Sequence, residues 1–178
     1  MTEPAGAQAD RPAAAGGRGR TGGLRWLWLA GVVLALDRIT KAWVSASFSL
    51  YERIDVLPFL DITRVHNRGA AFSFLSTASG WQRWFFAGLA LAVSVMIVVW
   101  LRRLPADQRR LAASLALVLG GALGNLWDRL QLGYVVDFID VYYGDWHWPA
   151  FNVADSAITV GAALLILDAL ATRRRGGV

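Results

Sequence analysis

Four long apolar runs constrain the fold of this chain of 178 residues more than any other feature. They cover residues 24–44, with a few polar interruptions, and residues 81–101, 111–127 and 151–171. Each is close to the roughly 20 residues that a helix needs to cross the hydrocarbon core of a bilayer. A soluble domain of this length has no interior large enough to hide four such helices. The pattern predicts an all-α membrane protein, a four-transmembrane-helix bundle.

Arginines indicate how the bundle is oriented. They cluster before the first run, between the second and third runs, and after the fourth, at Arg11, Arg18, Arg20, Arg25, Arg102, Arg103, Arg109, Arg110, Arg173, Arg174 and Arg175. All three clusters fall on one side of a four-span topology, so the positive-inside rule places both termini in the cytoplasm. The pI near 10.4 is then a topology signal, and no nucleic-acid partner is expected.

Three segments follow from this topology. Residues 1–23 are rich in Ala, Gly and Arg and predict a disordered cytoplasmic tail, residues 24–172 form the membrane domain, and residues 173–178 form a basic cytoplasmic tail. The small residues of AWVSAS would suit a signal-peptide cleavage site, but Asp37, Arg38 and Lys41 interrupt the apolar stretch before it. The chain has no cysteine, so thiol chemistry is excluded.

The two outward loops, 45–80 and 130–150, carry strand-like sequences. SFSLYERIDVLPFLDITRVHN predicts short strands at the membrane surface, and GAAFSFLSTASGWQRW predicts a tight turn or short helix. YVVDFIDVYY predicts a strand in which Val135 and Asp137 share one face, and Val136 and Asp140 the other. Gly133 is placed to end the third helix. Gly120, Gly121 and Gly124 predict close helix packing.

Several catalytic chemistries lack their residues. The sequence contains no H-E-x-x-H zinc motif and no G-x-S-x-G elbow. Lys41 and Ser45 are one helical turn apart, but a Ser–Lys dyad needs a lysine without charge, and Asp37 lies one turn away on the other side. These observations leave the carboxylates as the candidates.

Aspartates gather at the outer ends of the predicted spans, at Asp37, Asp128, Asp137, Asp140, Asp145 and Asp155. Charged groups inside a bilayer are costly, which makes such acids functional candidates. Asp140 and Asp145 stand among tyrosines and tryptophans typical of an interfacial belt, and we expect both to meet water. Asn152 is placed to cap the fourth helix, with Asp155 in its first turn.

Asp137 and Asp155 together suggest acid–base hydrolysis of an amide. Two carboxyls brought close together take different protonation states, because the charge of one raises the pKa of the other. The helix start favours Asp155 as the ionised partner, which would leave the proton on Asp137. A capping role for Asp155 and a plain strand position for Asp137 remain open on the sequence alone.

Five blocks carry a family resemblance. DRITK (37–41), NRGAAFS (67–73), GGALGNLWDR (120–129), VVDF (135–138) and FNVADSAI (151–158) resemble the signature blocks of lipoprotein signal peptidase, the bacterial type II signal peptidase, in the same order. The resemblance implies an aspartyl protease of the inner membrane with Asp137 and Asp155 as the catalytic pair. It implies substrate-binding roles for Asn67, Gly69, Ala70, Asn125, Arg129 and Asn152, and supporting roles for Asp37, Lys41 and Asp128.

The resemblance also implies the substrate, a prolipoprotein whose cysteine carries a diacylglycerol, cleaved on the amino side of that cysteine. The partners expected are this substrate and membrane lipid, with globomycin as an inhibitor, and the protein is expected to act as a monomer without a metal ion or organic cofactor. A small proton- or ion-coupled transporter is the main alternative, but it predicts acids through the whole membrane depth, and here only Asp168 lies away from the outer end. A non-catalytic scaffold is the second alternative.

Overall fold

The structure, a computed structural model, describes residues 22–69 and 80–175, with side chains through residue 171. A 3-10 helix, Gly23–Trp26, leads into the first of four helices: α1 (Leu27–Ser47), α2 (Trp81–Arg103), α3 (Arg109–Gln131) and α4 (Val153–Arg175). Four strands complete the fold: β1 (Arg53–Leu57), β2 (Leu60–Asn67), β3 (Val135–Tyr143) and β4 (Trp146–His147). The turn or short helix predicted from GAAFSFLSTASGWQRW falls largely on residues 70–79, outside the described residues.

Three helices of the described chain are long and apolar enough to cross a membrane: α2, α3 and the portion Val153–Ala171 of α4. α1 has a comparable length but carries Asp37, Arg38 and Lys41 in its second half. The helices also extend beyond the predicted limits. α3 continues past residue 127 to Gln131, and α4 continues past residue 171 to Arg175. An apolar run indicates only the part of a helix that enters the hydrocarbon, whereas the helical backbone continues into polar residues.

α3 is the central helix, and α1, α2 and α4 all pack against it. Glycines make two of these contacts possible. A Cβ at Gly120 would lie 2.7 Å from the carbonyl oxygen of Ala30 on α1, and a Cβ at Gly121 would collide with the carbonyl oxygen of Ala154 on α4. The predicted close helix packing at these small residues is confirmed.

An antiparallel sheet in the order β1-β2-β3-β4 covers the end of the bundle where α1 and α3 end and α4 begins. Val136 and Phe138 of β3 pack with Val44 and Phe48 at the end of α1. Gly133 has φ +84°, and its N–H and that of Leu132 both donate to the carbonyl oxygen of Asp128, which ends α3 as predicted. The predicted strands are confirmed.

Asp140 corrects one expectation. The residue was expected to meet water, yet it is only 4% exposed. Its carboxylate pairs with Arg53 Nη2 at 2.9 Å and with His147 Nδ1 at 3.0 Å. Arg53 lies on β1, 87 positions away, so only the folded sheet brings this partner near. Asp145, in the turn between β3 and β4, is exposed as expected.

Candidate active site

A cavity of about 640 Å³ opens where the sheet meets the helices. Its polar wall consists of Asn67 from the end of β2, Asp137 from β3, Asn125 and Arg129 from α3, and Asp155 from α4. The remaining walls are largely apolar: Val135, Trp148, Pro149, Ala150, Phe151, Ser156, Ile158, Thr159 and Val160. Size and composition are those of a ligand site, a mostly apolar cleft with a few convergent polar groups.

The first turn of α4 fixes Asp155. Asn152 precedes the helix, and its Oδ1 accepts a hydrogen bond from the Asp155 N–H at 2.9 Å. In return, the Asn152 N–H donates to Asp155 Oδ2 at 3.3 Å. This reciprocal pair is a capping box, and it holds the carboxylate at the positive end of the helix dipole.

Asn152 also connects this helix to strand β3. Its side chain is fully buried, and its Nδ2 donates to Asp137 Oδ1 at 2.7 Å. The amide oxygen is already occupied by the Asp155 N–H, so the NH₂ group is the end that faces Asp137. One side chain therefore sets the positions of two carboxylates that are 18 residues apart in the chain.

Asn67 reaches the other oxygen of Asp137. Its Oδ1 accepts a hydrogen bond from the Gly69 N–H at 2.9 Å, which turns its Nδ2 toward Asp137 Oδ2 at 3.0 Å. Both carboxyl oxygens of Asp137 thus have an amide donor. The carbonyl oxygen of Gly69 accepts from Arg129 Nη2 at 3.1 Å, which ties this segment to α3. Ala70, the next predicted site residue, lies outside the described residues.

Asn125 holds Asp155 as Asn67 holds Asp137, with its amide oxygen bound elsewhere and its NH₂ group facing the carboxylate. Its Oδ1 accepts a hydrogen bond from Lys41 Nζ at 3.0 Å, and its Nδ2 donates to Asp155 Oδ1 at 2.7 Å. An ammonium group has donors only, so it fixes which end of the amide faces the aspartate. Arg129, one turn further along α3, donates to the carbonyl oxygen of Asn125 at 3.2 Å.

Lys41 lies in a buried ion cluster behind the cavity. Its side chain is 1% exposed, and Nζ lies 2.9 Å from Asp37 Oδ2 and 3.0 Å from Asp128 Oδ2. Asp37 and Lys41 are one helical turn apart, and as an exposed pair they would contribute only about 0.3–0.5 kcal/mol, but here both side chains are buried. Because Nζ is bound by two carboxylates and Asn125, it is not available as a base for Ser45.

The two acids of this cluster connect the helices to each other and to the sheet. Asp37 Oδ1 accepts from the Ala154 N–H at 3.0 Å, which joins α1 to the start of α4. Asp128 Oδ2 accepts from the Val136 N–H at 3.2 Å, beside Asp137 on β3, and Asp128 also pairs with Arg38. These contacts place the cluster directly behind the residues that face the cavity.

Burial and charge act strongly on Asp137, which is 2% exposed. Loss of hydration, followed by the negative charge of Asp155, raises the pKa of Asp137 to about 7. The hydrogen bonds from Asn67 and Asn152 favour the ionised form and oppose this rise, but they do not cancel it.

The chain is similar to known proteins over most of its length. The profile of the signal peptidase (SPase) II family matches residues 29–171. The chain belongs to the signal peptidase II family. It is therefore a protease by family. Relatives named lipoprotein signal peptidase are 56% identical in Alteromonas mediterranea, covering 84% of this chain and 82% of the relative, and 55% identical in Shewanella amazonensis, covering 82% and 87%.

Two solved structures, each described as a bacterial membrane enzyme, have the same fold. One has a TM-score of 0.75 and 32% identity, covering 83% of this chain and 88% of the other, and the second has a TM-score of 0.71 and 32% identity, covering 82% and 92%. With its apolar helices, this member of the signal peptidase II family is a multi-pass membrane protein. Nothing in these similarities supports the transporter alternative.

Four further residues of α4 line the cavity: Ser156, Ile158, Thr159 and Val160. Ser156 and Ile158 lie within the FNVADSAI block but had no predicted role, and Thr159 and Val160 follow that block. Ile158 and Thr159 follow Asp155 at helical spacings of three and four, so the face that carries Asp155 was a usable signal. Trp148, Pro149 and Ala150 had no comparable signal, because their positions depend on the turn after β4.

Proposed function

We propose that this chain is an aspartic endopeptidase that removes the signal peptide from diacylglyceryl-modified prolipoproteins, cleaving on the amino side of the lipidated cysteine. The relatives named lipoprotein signal peptidase indicate the substrate class. The observation that carries the proposal is the presence of Asp137 and Asp155 on one cavity, with Asn152 bonded to both.

Asp155 is the base in this mechanism. Its two oxygens accept hydrogen bonds from Asn125 Nδ2 and the Asn152 N–H, and it accepts a proton from water as the water oxygen attacks the scissile carbonyl carbon. Asp137 starts the reaction protonated, and its O–H donates a hydrogen bond to the developing oxyanion. When the C–N bond breaks, Asp137 gives its proton to the leaving nitrogen. The products are a carboxylic acid and the amine of the cysteine.

The environment of Asp137 supports its role as the acid. A pKa of about 7 keeps a large share of this carboxyl protonated near neutral pH, beside an ionised neighbour. Asn67 and Asn152 hold its two oxygens in place, so it needs little reorganisation as the reaction proceeds.

The walls of the cavity suit a lipid-anchored peptide. Ile158 and Val160 line it from α4, and Val160 is 51% exposed on the side of the helix that would face the bilayer. Acyl chains of the substrate would remain in the membrane, while Asn67 and Arg129 meet the extended peptide. Confinement to the membrane surface lowers the entropic cost of alignment for such a substrate.

The fourth membrane span of this proposal is α1. Asp37 and Lys41 are buried against α3 and α4 rather than turned to lipid, so the charges of α1 are compatible with a bilayer. With both termini in the cytoplasm of the bacterial inner membrane, the aspartates lie near the outer face. The protein would act as a monomer, with prolipoprotein and membrane lipid as its partners and no cofactor.

A gel-shift assay tests the proposal with purified protein and a diacylglyceryl-prolipoprotein. Asp137→Asn and Asp155→Asn are each expected to abolish cleavage while the protein stays folded, and Asp145→Asn, at an exposed aspartate, is expected to cleave normally. Loss of folded protein in both cavity variants would support the scaffold alternative. Cleavage by either cavity variant at the wild-type rate would contradict the catalytic assignment.

A further inference from the structure

A groove separates α1 from α2 at the end of the bundle opposite the catalytic aspartates. Both helices pack on α3, but over the residues that the structure describes they make almost no direct contact with each other. The groove holds about 550 Å³. Leu119 of α3 forms its floor, Gly31 lies on one wall and Val98 on the other, and Arg102 stands at the end.

The groove is apolar along its length. Apart from Arg102, its only polar lining residue is Ser94, whose Oγ already donates to the carbonyl oxygen of Ala90 at 2.7 Å. A ligand that accepts hydrogen bonds would therefore find no free side-chain donor in the groove apart from Arg102. Gly31 keeps the groove open, because a Cβ there would have no atom within 4 Å.

The length of the groove corresponds to one leaflet. It extends along α2 from Ser94 to Arg102, and the eight helical steps between them rise about 12 Å. Half of a bilayer's hydrocarbon core is about 15 Å thick. An occupant of these dimensions is an acyl chain that lies along the helices, with its headgroup at the level of Arg102.

Arg102 selects the charge of that headgroup. It is the penultimate residue of α2, it is exposed, and it forms no hydrogen bond or ion pair with the residues described here. A guanidinium at this position suits a phosphate, which it binds through two parallel hydrogen bonds. We infer that the groove binds one acyl chain of an anionic phospholipid whose phosphate pairs with Arg102. This site is separate from the proposed cleavage site and does not depend on peptidase activity.

Native mass spectrometry of the full chain, freed of lipid in detergent, tests the inference. The probes are phosphatidylglycerol, phosphatidylcholine with the same acyl chains, and inorganic phosphate. Wild-type protein is expected to bind the anionic lipid about fivefold more tightly than the zwitterionic one, which is the effect of one arginine near a membrane surface. Inorganic phosphate is expected not to compete.

Two pairs of variants distinguish lipid binding in the groove from effects of the same substitution elsewhere on the helices. Arg102→Gln is expected to lose the preference for the anionic lipid, whereas Arg103→Gln, at the neighbouring exposed residue outside the groove lining, is expected to keep it. Gly31→Leu is expected to fill the groove and lose lipid binding. Gly88→Leu is the matched control, because Gly88 is also exposed on a helix with no atom near its Cβ but lies outside the groove.

Four results would overturn the inference. Among the variants, these are an equal loss of the anionic-lipid preference in Arg102→Gln and Arg103→Gln, and undiminished lipid binding by Gly31→Leu. In the wild-type protein, they are displacement of the lipid by inorganic phosphate and detection of a protein dimer in place of the lipid adduct. Circular dichroism of each variant shows that it is folded, and the arginine pair tests the inference even if Gly31→Leu does not fold.

Discussion

Asn152 Nδ2 lies 2.7 Å from Asp137 Oδ1, so the residue that caps α4 also holds the carboxyl of strand β3. The same side chain caps the helix through Asp155 N–H. Helix capping and assembly of the candidate catalytic pair are therefore two effects of one side chain, and they can be separated by substitution.

Asn152→Ser separates them. A serine at the N-cap still accepts a hydrogen bond from the first turn, but it has no NH₂ group to donate to Asp137. We expect a smaller loss of thermal stability than in Asn152→Ala, because the cap is kept, together with at least a tenfold loss of cleavage, the loss that removing about 1.4 kcal/mol from transition-state stabilisation produces. Asn152→Ala is expected to lose both cleavage and about 1 kcal/mol of stability. Normal cleavage by Asn152→Ser would show that the contact with Asp137 is dispensable.

Lys41→Met is expected to destabilise the protein strongly. The substitution leaves Asp37 and Asp128 facing each other in the interior with one cation fewer, and breaking a buried ion pair costs about 3–5 kcal/mol. Thermal unfolding in detergent measures the change. The double variant Asp37→Asn with Lys41→Met is expected to regain part of the loss, because one uncompensated charge is removed. Wild-type melting of Lys41→Met would contradict the role of the cluster.

Gly121→Ala tests the contact between α3 and α4. Its Cβ would collide with the backbone carbonyl of Ala154, immediately before Asp155, so the helices must separate. Overpacking of this kind costs about 1–3 kcal/mol, and we expect a lower melting temperature together with slower cleavage. Gly88→Ala, where the added methyl meets no atom, is the control. Equal melting temperatures for the two variants would contradict the close approach.

Asp137 makes stability depend on pH. Its pKa is about 7 in the folded protein and near 3.8 in the unfolded chain, so the folded state binds more protons between these values. Stability therefore falls as pH rises, by about 1.4 kcal/mol per pH unit between pH 4 and 7, and the loss is complete above the folded pKa. Asp137→Asn is expected to remove this slope. Parallel melting curves against pH for the variant and the wild type would rule out the raised pKa.

Cleavage should follow the same ionisation. Because Asp137, the proposed acid, has a pKa of about 7, it loses its proton as pH rises through neutrality, and the cleavage rate is expected to decline over the same range. Asp145→Asn, at an exposed carboxyl, is expected to leave the profile unchanged. A rate that keeps rising above pH 8 would indicate that Asp137 is not the acid.

The sequence predicted much of this arrangement because its signals are local. Apolar runs locate α2, α3 and α4, alternation in β3 separates Asp137 from Asp140, and Asn152 three residues before Asp155 indicates a helix start. Asn125 and Arg129 are one helical turn apart in the sequence, which places them on one face of α3.

Contacts between segments that are distant in the chain could not be predicted from the sequence. Asp140 looks like an exposed loop residue until β1 brings Arg53 beside it, and Lys41 looks like half of a surface pair until α3 brings Asp128 and Asn125 to it. In both cases, the burial of a charge depends on a partner more than 80 positions away. No local pattern carries that information.

Difference infrared spectroscopy can show whether Asp137 and Asp155 share a proton, because it detects the carbonyl stretch of a protonated carboxyl. At pH 6 we expect such a band in wild type and in Asp145→Asn, and its loss in Asp137→Asn. In wild type the band should titrate near pH 7, and in Asp155→Asn it should titrate at lower pH, because the neighbouring charge is gone. A band that survives in Asp137→Asn, or a titration unmoved in Asp155→Asn, would show that the two aspartates do not share a proton.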